Sequence, residues 1–300
     1  MFMLYRRRIK VKAKSKYKLS LIKFFLKYYY KCYSPFLMSK LFAKKLLDDV
    51  VTMTSNAGTS HVGGCLSCLD IISVLFSQII NIDKKNLKFK DRDRFILSKG
   101  HTAAIVYSAL ANLGFYPKKW LSTFIQDGTK LPGHIDHKVP GVEFSTGSLG
   151  HGLSVGLGMA ISMKRNKIKS KAYVLLSDGE MNTGSTWESI MFAGHHKVDN
   201  LIAIVDKNKI QSFGETKDII NLDPLDEKWD SFGWNTYDID GHNHVEIKRA
   251  ITSAKKFTGK PSVIICNTIK GKGIKDFEGK LISHYRPPSK EQLNDILSKS

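Results

Sequence analysis

Three hundred residues, 42% hydrophobic and 25% charged, are enough to bury a sizeable core, and this composition excludes a disordered chain. No run of eighteen uninterrupted apolar residues occurs, which argues against a spanning helix. The four cysteines, Cys32, Cys65, Cys68 and Cys266, are too few and scattered for a disulfide framework and favour a reducing, cytoplasmic setting. The formal charge of +20 points at first to nucleic acid or anionic lipid, but residues 1–37 hold eleven Lys/Arg and no acid. The rest carries 36 basic and 27 acidic residues, a modest +9.

The basic, Tyr-rich segment 1–37 admits three readings. It is an extension upstream of a start at Met38, an arm drawn to anionic lipid, or a targeting peptide whose apolar part is broken by Lys23, Lys27 and Lys31. It lacks the interleaved folded platform of nucleic-acid binders, so no nucleic-acid partner is expected. Any membrane contact is expected through these residues alone. Residues 38–300 show no internal repeat and no Pro/Gly/Ser-rich linker, and read as one domain.

Within it, "LDIISVLFSQII" (69–80) and "HTAAIVYSALANLGF" (101–115) have helical apolar spacing. "GHGLSVGLGMAISMKR" (150–165) reads as a closely packed helix entered through a Gly turn. "AYVLLS" (172–177), "LIAIVD" (201–206) and "SVIICNTI" (262–269) are short and apolar, with the pattern of strands buried on both faces. Between the first two, "STWESIMFAGHHKV" (185–198) reads as a crossover helix with Trp187, Ile190, Met191 and Ala193 on its packed side. "WNTYDID" (234–240) and "HVEIKRAITSAKKF" (244–257) repeat the alternation, and "SKEQLNDILSKS" closes with a short capped helix. The class is α/β: a three-layer parallel sheet with helices on both faces.

Ligands of such sheets bind beyond the carboxyl ends of strands. Asp178 ends one predicted strand and Asn208 follows the end of another, thirty residues on. If those strands are neighbours, a carboxylate, an amide oxygen and the Ile210 carbonyl can share one hard cation. Mg²⁺ would then keep coordination positions for diphosphate oxygens. Ser177 and Gly179 keep the turn small. Alone the pair is weak, since Asp-Gly turns and Asn-capped loops are common.

Other features have plainer readings. "CLSC" (65–68) lacks a second ligand pair for zinc and sits at the start of an apolar helix, where Cys acts as a small hydrophobe. "KGKG" (270–273) has no Walker spacing and reads as a turn whose lysines face the cleft or a diphosphate. His195 and His196 fall on the crossover helix, His151 after a turn, and His242 and His244 at a turn and a cap.

The ordered motifs "SHVGG" (60–64), "LSKGHTAAIVYSAL" (97–110), "LPGHIDHKVPGVEFSTGSLGHGLSVGLGMA" (131–160), "SDGEMNTGSTWESIMFAGHHKVDNLIAIVDKNKIQ" (177–211) and "TIKGKGI" (268–274) resemble the N-terminal half of transketolase. The likeness runs over residues 41–286. It implies a thiamine-diphosphate-binding fold with Asp178, Asn208 and the Ile210 carbonyl as ligands of Mg²⁺, or of Ca²⁺ or Mn²⁺. His101, Gly147, Leu149, Asp178, Gly179 and Asn208 would bind the cofactor. His61, His134 and His284 would serve catalysis by contacting the sugar's carbonyl and hydroxyls, as suits a side chain that titrates near neutrality.

The implied activity is reversible transfer of a two-carbon ketol unit from a ketose (phosphate) to an aldose (phosphate). The pyrimidine-binding half of transketolase has no counterpart in this sequence. The resemblance therefore implies the N-terminal subunit of a split enzyme, a separate C-terminal subunit, and a heterotetramer with cofactor at the interface. Two departures stand out. Thr183 replaces a Glu of the carboxylate network between transketolase sites, and "SHYRPP" replaces the usual "HG" after His284. Alternatives are a 2-oxo-acid dehydrogenase α-subunit, a deoxyxylulose-phosphate-synthase-like enzyme, or a non-catalytic subunit that keeps the fold.

Overall fold

The computed structural model describes residues 34–299, so the readings of segment 1–37 lie almost wholly outside the described residues. From Ser39 onward the chain forms one compact unit. Its centre is a five-stranded sheet: β1 Arg94–Leu97, β2 Ala172–Ser177, β3 Leu201–Lys207, β6 Asn235–Asp240 and β7 Ser262–Asn267. A short antiparallel hairpin supplies β4 Ile210–Gln211 and β5 Gly214–Glu215. The order is β1-β2-β3-β7-β6, and every pair in the sheet is parallel.

The apolar runs of β2, β3 and β7 are explained by burial on both faces. Alternate side chains enter opposite cores. Tyr173, Leu175, Ile202, Ile204, Ile264 and Cys266 join the core packed by helices Leu69–Val74, Ala103–Leu113 and His244–Lys256. Ala172, Val174, Leu176, Leu201, Ala203, Val205, Val263 and Ile265 join the core under helices Gly152–Arg165, Gly184–His195 and Leu225–Ser231. This is the three-layer architecture expected.

Three local expectations change. The helix predicted over 69–80 is α-helical only to Val74 and continues as a single π turn, Leu75–Ile79. On the crossover helix Gly184–His195, Ile190 and Ala193 are buried and Trp187 half-buried, but Met191 is 54% exposed, because its position in the helical turn carries it past the edge of the packed stripe. The cap before His244–Lys256 is Asn243, whose side chain accepts from the backbone N–H groups of Val245 and Glu246; His244 is the first helical residue and is buried. The closing helix Lys290–Ser298 does carry the capping box of Ser289 and Gln292.

The chain steps β1→β2→β3 across the sheet, with the β2–β3 helix on one face. It then returns through β6→β7 with its helix on the other face. The winding reverses between β3 and β7, where an open sheet leaves a crevice beyond its carboxyl ends.

Candidate active site

The crevice is a cavity of about 230 Å³. Every residue that the sequence nominated borders it: His61, His101, His134, Gly147, Leu149, Asp178, Gly179, Asn208, Ile210 and His284. The strands account for much of this convergence. Asp178 follows the end of β2, Asn208 follows the end of β3, and Lys270 lies three residues past the end of β7. Loops bring in the histidines.

Four imidazoles cluster. The His61 ring lies 5.0 Å from His101, 4.9 Å from His284 and 6.2 Å from His134, and His101 lies 6.0 Å from His284. His61 has a left-handed backbone (φ 73°), a strained state for a residue with a β-carbon. It is held there because its N–H donates to the His284 carbonyl, 2.9 Å away, and its Nδ1 meets Ser60 Oγ at 3.1 Å. His134 is fixed through its backbone, since Tyr107 Oη donates to its carbonyl.

Burial pushes the imidazolium forms down. His61 is lowered by desolvation, then by His134 and Lys270, and His101 falls well below its ordinary value through burial and the neighbouring His61. His284 falls to about 4 through burial, Lys270 and His61. Near neutral pH these three rings are uncharged, each with one N–H donor and one acceptor nitrogen.

The acidic end is built around Asp178. Its Oδ1 accepts from the Gly179 N–H at 2.8 Å and its Oδ2 from the Lys209 N–H at 2.5 Å. Lys209 takes the left-handed φ of 67° that turns this N–H inward. Asn208 Oδ1 accepts from the Ile210 N–H, and the Ile210 carbonyl accepts from Lys270 Nζ at 2.7 Å. Burial, then the nearby Asp206 charge, raises the Asp178 carboxyl to about 7, so an added positive charge would be stabilised there.

Among the described residues, no three His, Cys, Asp or Glu side chains converge as a metal cluster. A cation here would use one carboxylate, one amide oxygen and one carbonyl, with the remaining oxygens from ligand or water. That hard, part-filled oxygen set suits Mg²⁺. Lys270 is the cation that these groups already meet. Burial lowers its ammonium to about 8 against the opposing pull of Asp178.

The glycines leave room for a bound group. A β-carbon on Gly179 would lie 2.9 Å from Gln211 Cβ, so the turn must be glycine. At Gly147 a β-carbon would make only ordinary contact, 3.4 Å from His134. The protein's own packing thus does not require glycine at 147, and a ligand approaching the backbone supplies a reason for it.

Sequence reasoning missed the layer beneath. Lys99 and Asp206 form a fully buried ion pair, Nζ to Oδ2 at 2.5 Å. Lys99 also donates to the Gly64 carbonyl, and Asp206 accepts from Ser67 Oγ, Asn208 Nδ2 and Thr268 Oγ1. Burial alone would raise Asp206, but Lys99 and these donors hold it below the usual carboxylate range. Glu180, buried behind the Asp178 turn, accepts from Ser98 Oγ and from the Gly150 N–H. The available signal was a charged residue at the end of the otherwise apolar "LIAIVD". Thr183, the departure noted above, hydrogen-bonds to the Glu180 carbonyl and Thr186 Oγ1.

The remaining nominees separate cleanly. His195 and His196 are exposed at a helix end, and His151 is exposed beside its turn. Cys65 and Cys68 are buried, unbridged and packed in the core. Lys270 of "KGKG" enters the cleft, while Lys272 faces solvent and pairs with Glu278.

Comparison with known proteins gives the family and the fold. Residues 42–299 match the family described as transketolase, thiamine diphosphate binding domain. The chain belongs to the transketolase family and corresponds to that N-terminal domain. It is 45% identical over 228 residues to the 6-deoxy-6-sulfo-D-fructose transketolase subunit SqwG of Clostridium sp. (strain MSTE9), covering 76% of this chain and 83% of that subunit. It is 42% identical over 253 residues to an apulose-4-phosphate transketolase subunit of Actinobacillus succinogenes, covering 84% and 91%.

The solved transketolase of Campylobacter jejuni superposes with a TM-score of 0.81 at 31% identity, over 87% of this chain and 42% of that one. The chain thus spans about two fifths of the undivided transketolases but most of the length of the separate subunits. In extent and sequence it is a transketolase subunit of the N-terminal type.

Proposed function

We propose that this chain holds thiamine diphosphate and a divalent cation in the cleft and, with a C-terminal partner subunit, transfers a two-carbon ketol unit between sugar phosphates. The observation that carries the reading is the convergence of four imidazoles and three oxygen donors at the point where the sheet's winding reverses.

When bound, thiamine diphosphate supplies the nucleophilic carbon and electron sink that allow a carbon–carbon bond beside a ketone to break and re-form. This chain's residues do the rest of the work on their side of the cleft. Asp178, Asn208 and the Ile210 carbonyl would hold the cation, and Lys270 and His101 would face the diphosphate. His61, His134 and His284 are placed to donate to a substrate carbonyl and accept from its hydroxyls; the neutral state of His61 and His284 lets one ring do both.

A partner is supported by the cleft's rim as well as by the relatives' subunit names. Phe213, at the tip of the β4–β5 hairpin, is 79% exposed. Tyr285, 53% exposed, donates its hydroxyl to the adjacent Ser212 carbonyl, and Ile219 packs by Gly214. An exposed apolar rim beside a polar cleft is what a covering subunit would bury. Two copies of each subunit in a heterotetramer is the assembly proposed. The cytoplasm is the proposed compartment, supported by the unbridged Cys65, Cys68 and Cys266; no described helix is long and apolar enough to cross a membrane.

The test is a ketol-transfer assay with xylulose 5-phosphate and ribose 5-phosphate, thiamine diphosphate and Mg²⁺, using this chain alone and with its C-terminal partner. Turnover only in the mixture is expected. Equal turnover by the chain alone would refute the need for a partner.

A further inference from the structure

Lys270 reaches the cleft from a loop that no apolar side chain anchors at its start, since Ile269 is 39% exposed. That residue's backbone N–H is held by a histidine outside the cleft. The Ile269 N–H donates to His242 Nε2 at 2.9 Å, which leaves the ring's proton on Nδ1, 2.9 Å from Asp70 Oδ2. We propose that Asp70 and His242 are positioning residues that set the loop carrying Lys270, and through it the cation presented to the diphosphate. The proposal rests on the reading that the diphosphate occupies the cleft.

The arrangement has the form of a relay of orientation. Asp70 opens the helix Leu69–Val74 and is itself fixed by a second imidazole: its Oδ1 lies 2.6 Å from His244 Nε2, and His244 Nδ1 lies 2.8 Å from Ser39 Oγ. The carboxylate is therefore tied to two helices and to the start of a third. His242 transmits that fixed point to the backbone of Ile269, one residue before Lys270. Lys270 Nζ then donates to the Ile210 carbonyl and lies 3.2 Å from His284 Nδ1.

Other contacts confine the loop on either side: the Thr268 N–H donates to the Lys207 carbonyl at 3.1 Å, Thr268 Oγ1 donates to Asp206, and the Gly279 N–H donates to the Lys270 carbonyl at 2.9 Å. The Gly271 N–H donates to the Gly63 carbonyl at 3.0 Å, and Gly241 packs so closely on Thr268 that a β-carbon would collide with Thr268 Cγ2. None of these bonds uses the Ile269 N–H, whose partner is His242 Nε2. A carboxylate that orients an imidazole, which in turn orients a functional group, is a familiar arrangement around metal ligands. Here the imidazole holds a backbone amide.

Two measurements on the full chain test the proposal. Hydrogen exchange of peptides spanning residues 268–271 is expected to quicken about tenfold in His242→Ala, by the loss of one hydrogen bond. Asp70→Asn should show a smaller rise. Thiamine diphosphate affinity, measured calorimetrically with Mg²⁺, completes a cycle with Lys270→Met. His242→Ala should weaken binding about tenfold beside Lys270 and have no further effect in Lys270→Met. His242→Gln, whose amide oxygen can still accept from the Ile269 N–H, should recover most of the loss.

Unchanged exchange at 268–271, or an equal loss of affinity in both backgrounds, would overturn the positioning role. Failure of the unaltered chain to bind thiamine diphosphate would overturn the cofactor reading and this role with it.

Discussion

Two groups of histidines lie on either side of the Lys270 loop, and they differ in their partners. His61, His101, His134 and His284 face one another and a lysine, with no carboxylate among the described residues hydrogen-bonded to their rings. His242 and His244 both meet Asp70, and His244 is fully packed. A histidine given a carboxylate is fixed in place, whereas His61, His101 and His284 have none, lose their charge chiefly to burial and then to neighbouring charges, and keep a donor or acceptor to offer. The difference teaches that whether a carboxylate partner is present separates an imidazole that braces the fold from one left to act on a substrate.

The largest effect that would break this comparison is on turnover. His61→Asn keeps a side chain that tolerates the left-handed backbone at φ 73°. It should lower the assembled enzyme's turnover by about 10²–10⁴-fold while leaving the denaturation midpoint nearly unchanged. A large loss of stability with little loss of turnover would put His61 in the bracing group.

The second effect inverts the first. His244→Ala leaves the Asp70 carboxylate without one donor and opens a void, and should cost roughly 2–3 kcal/mol in urea denaturation. Turnover per folded molecule, measured at saturating thiamine diphosphate, should hold.

Acid should then separate the groups by pH window. His61, His101 and His284 titrate lower when folded than at their ordinary 6.5, so the unfolded chain binds more protons below that pH. Their contribution to stability is full above pH 6.5 and fades as pH falls through about 4, the value for His284. For Asp70, burial is outweighed by hydrogen bonds from His242 and His244, which hold its carboxyl far below the ordinary 3.8. Its contribution is intact above 3.8 and fades only in stronger acid. Asp178, its carboxyl raised to about 7, gains stability as pH falls over the same range, so the histidine loss is read as a difference. His284→Asn should lessen the loss between pH 6.5 and 4 relative to the parent without touching the later Asp70 step.

The smallest expected change is at the rim. Phe213→Ser should alter the isolated chain's stability by less than about 0.5 kcal/mol yet weaken association with the C-terminal subunit, measurable by sedimentation.

The sheet and the cleft's inventory were legible because parallel strands buried on both faces leave continuous apolar runs, and because Asp178 and Asn208 stand at their ends. Periodicity did not reveal the π turn after Val74, and it placed Met191 inside a packed stripe whose edge only the tertiary packing defines. Nor could spacing pair Lys99 with Asp206, 107 positions apart. That contact arises because β1 and β3 flank β2 and helix Val62–Ser67 closes above them. The roles of His242 and His244 were likewise hidden, since their carboxylate lies 172 and 174 positions away.

The central claim is that the ends of β2 and β3 form a cation–diphosphate site, and Asp178→Asn addresses it most directly. Without cofactor, the buried Asp178 carboxyl, raised to about 7, opposes folding increasingly as pH rises from the ordinary 3.8 and fully above about 7. At pH 8 the variant should therefore be more stable than the parent, by up to about 2–4 kcal/mol. In calorimetry with Mg²⁺ the same variant should lose thiamine diphosphate binding by 100-fold or more, about 2.7 kcal/mol. Binding that survives intact, with the same dependence on Mg²⁺ as the parent, would contradict the assignment.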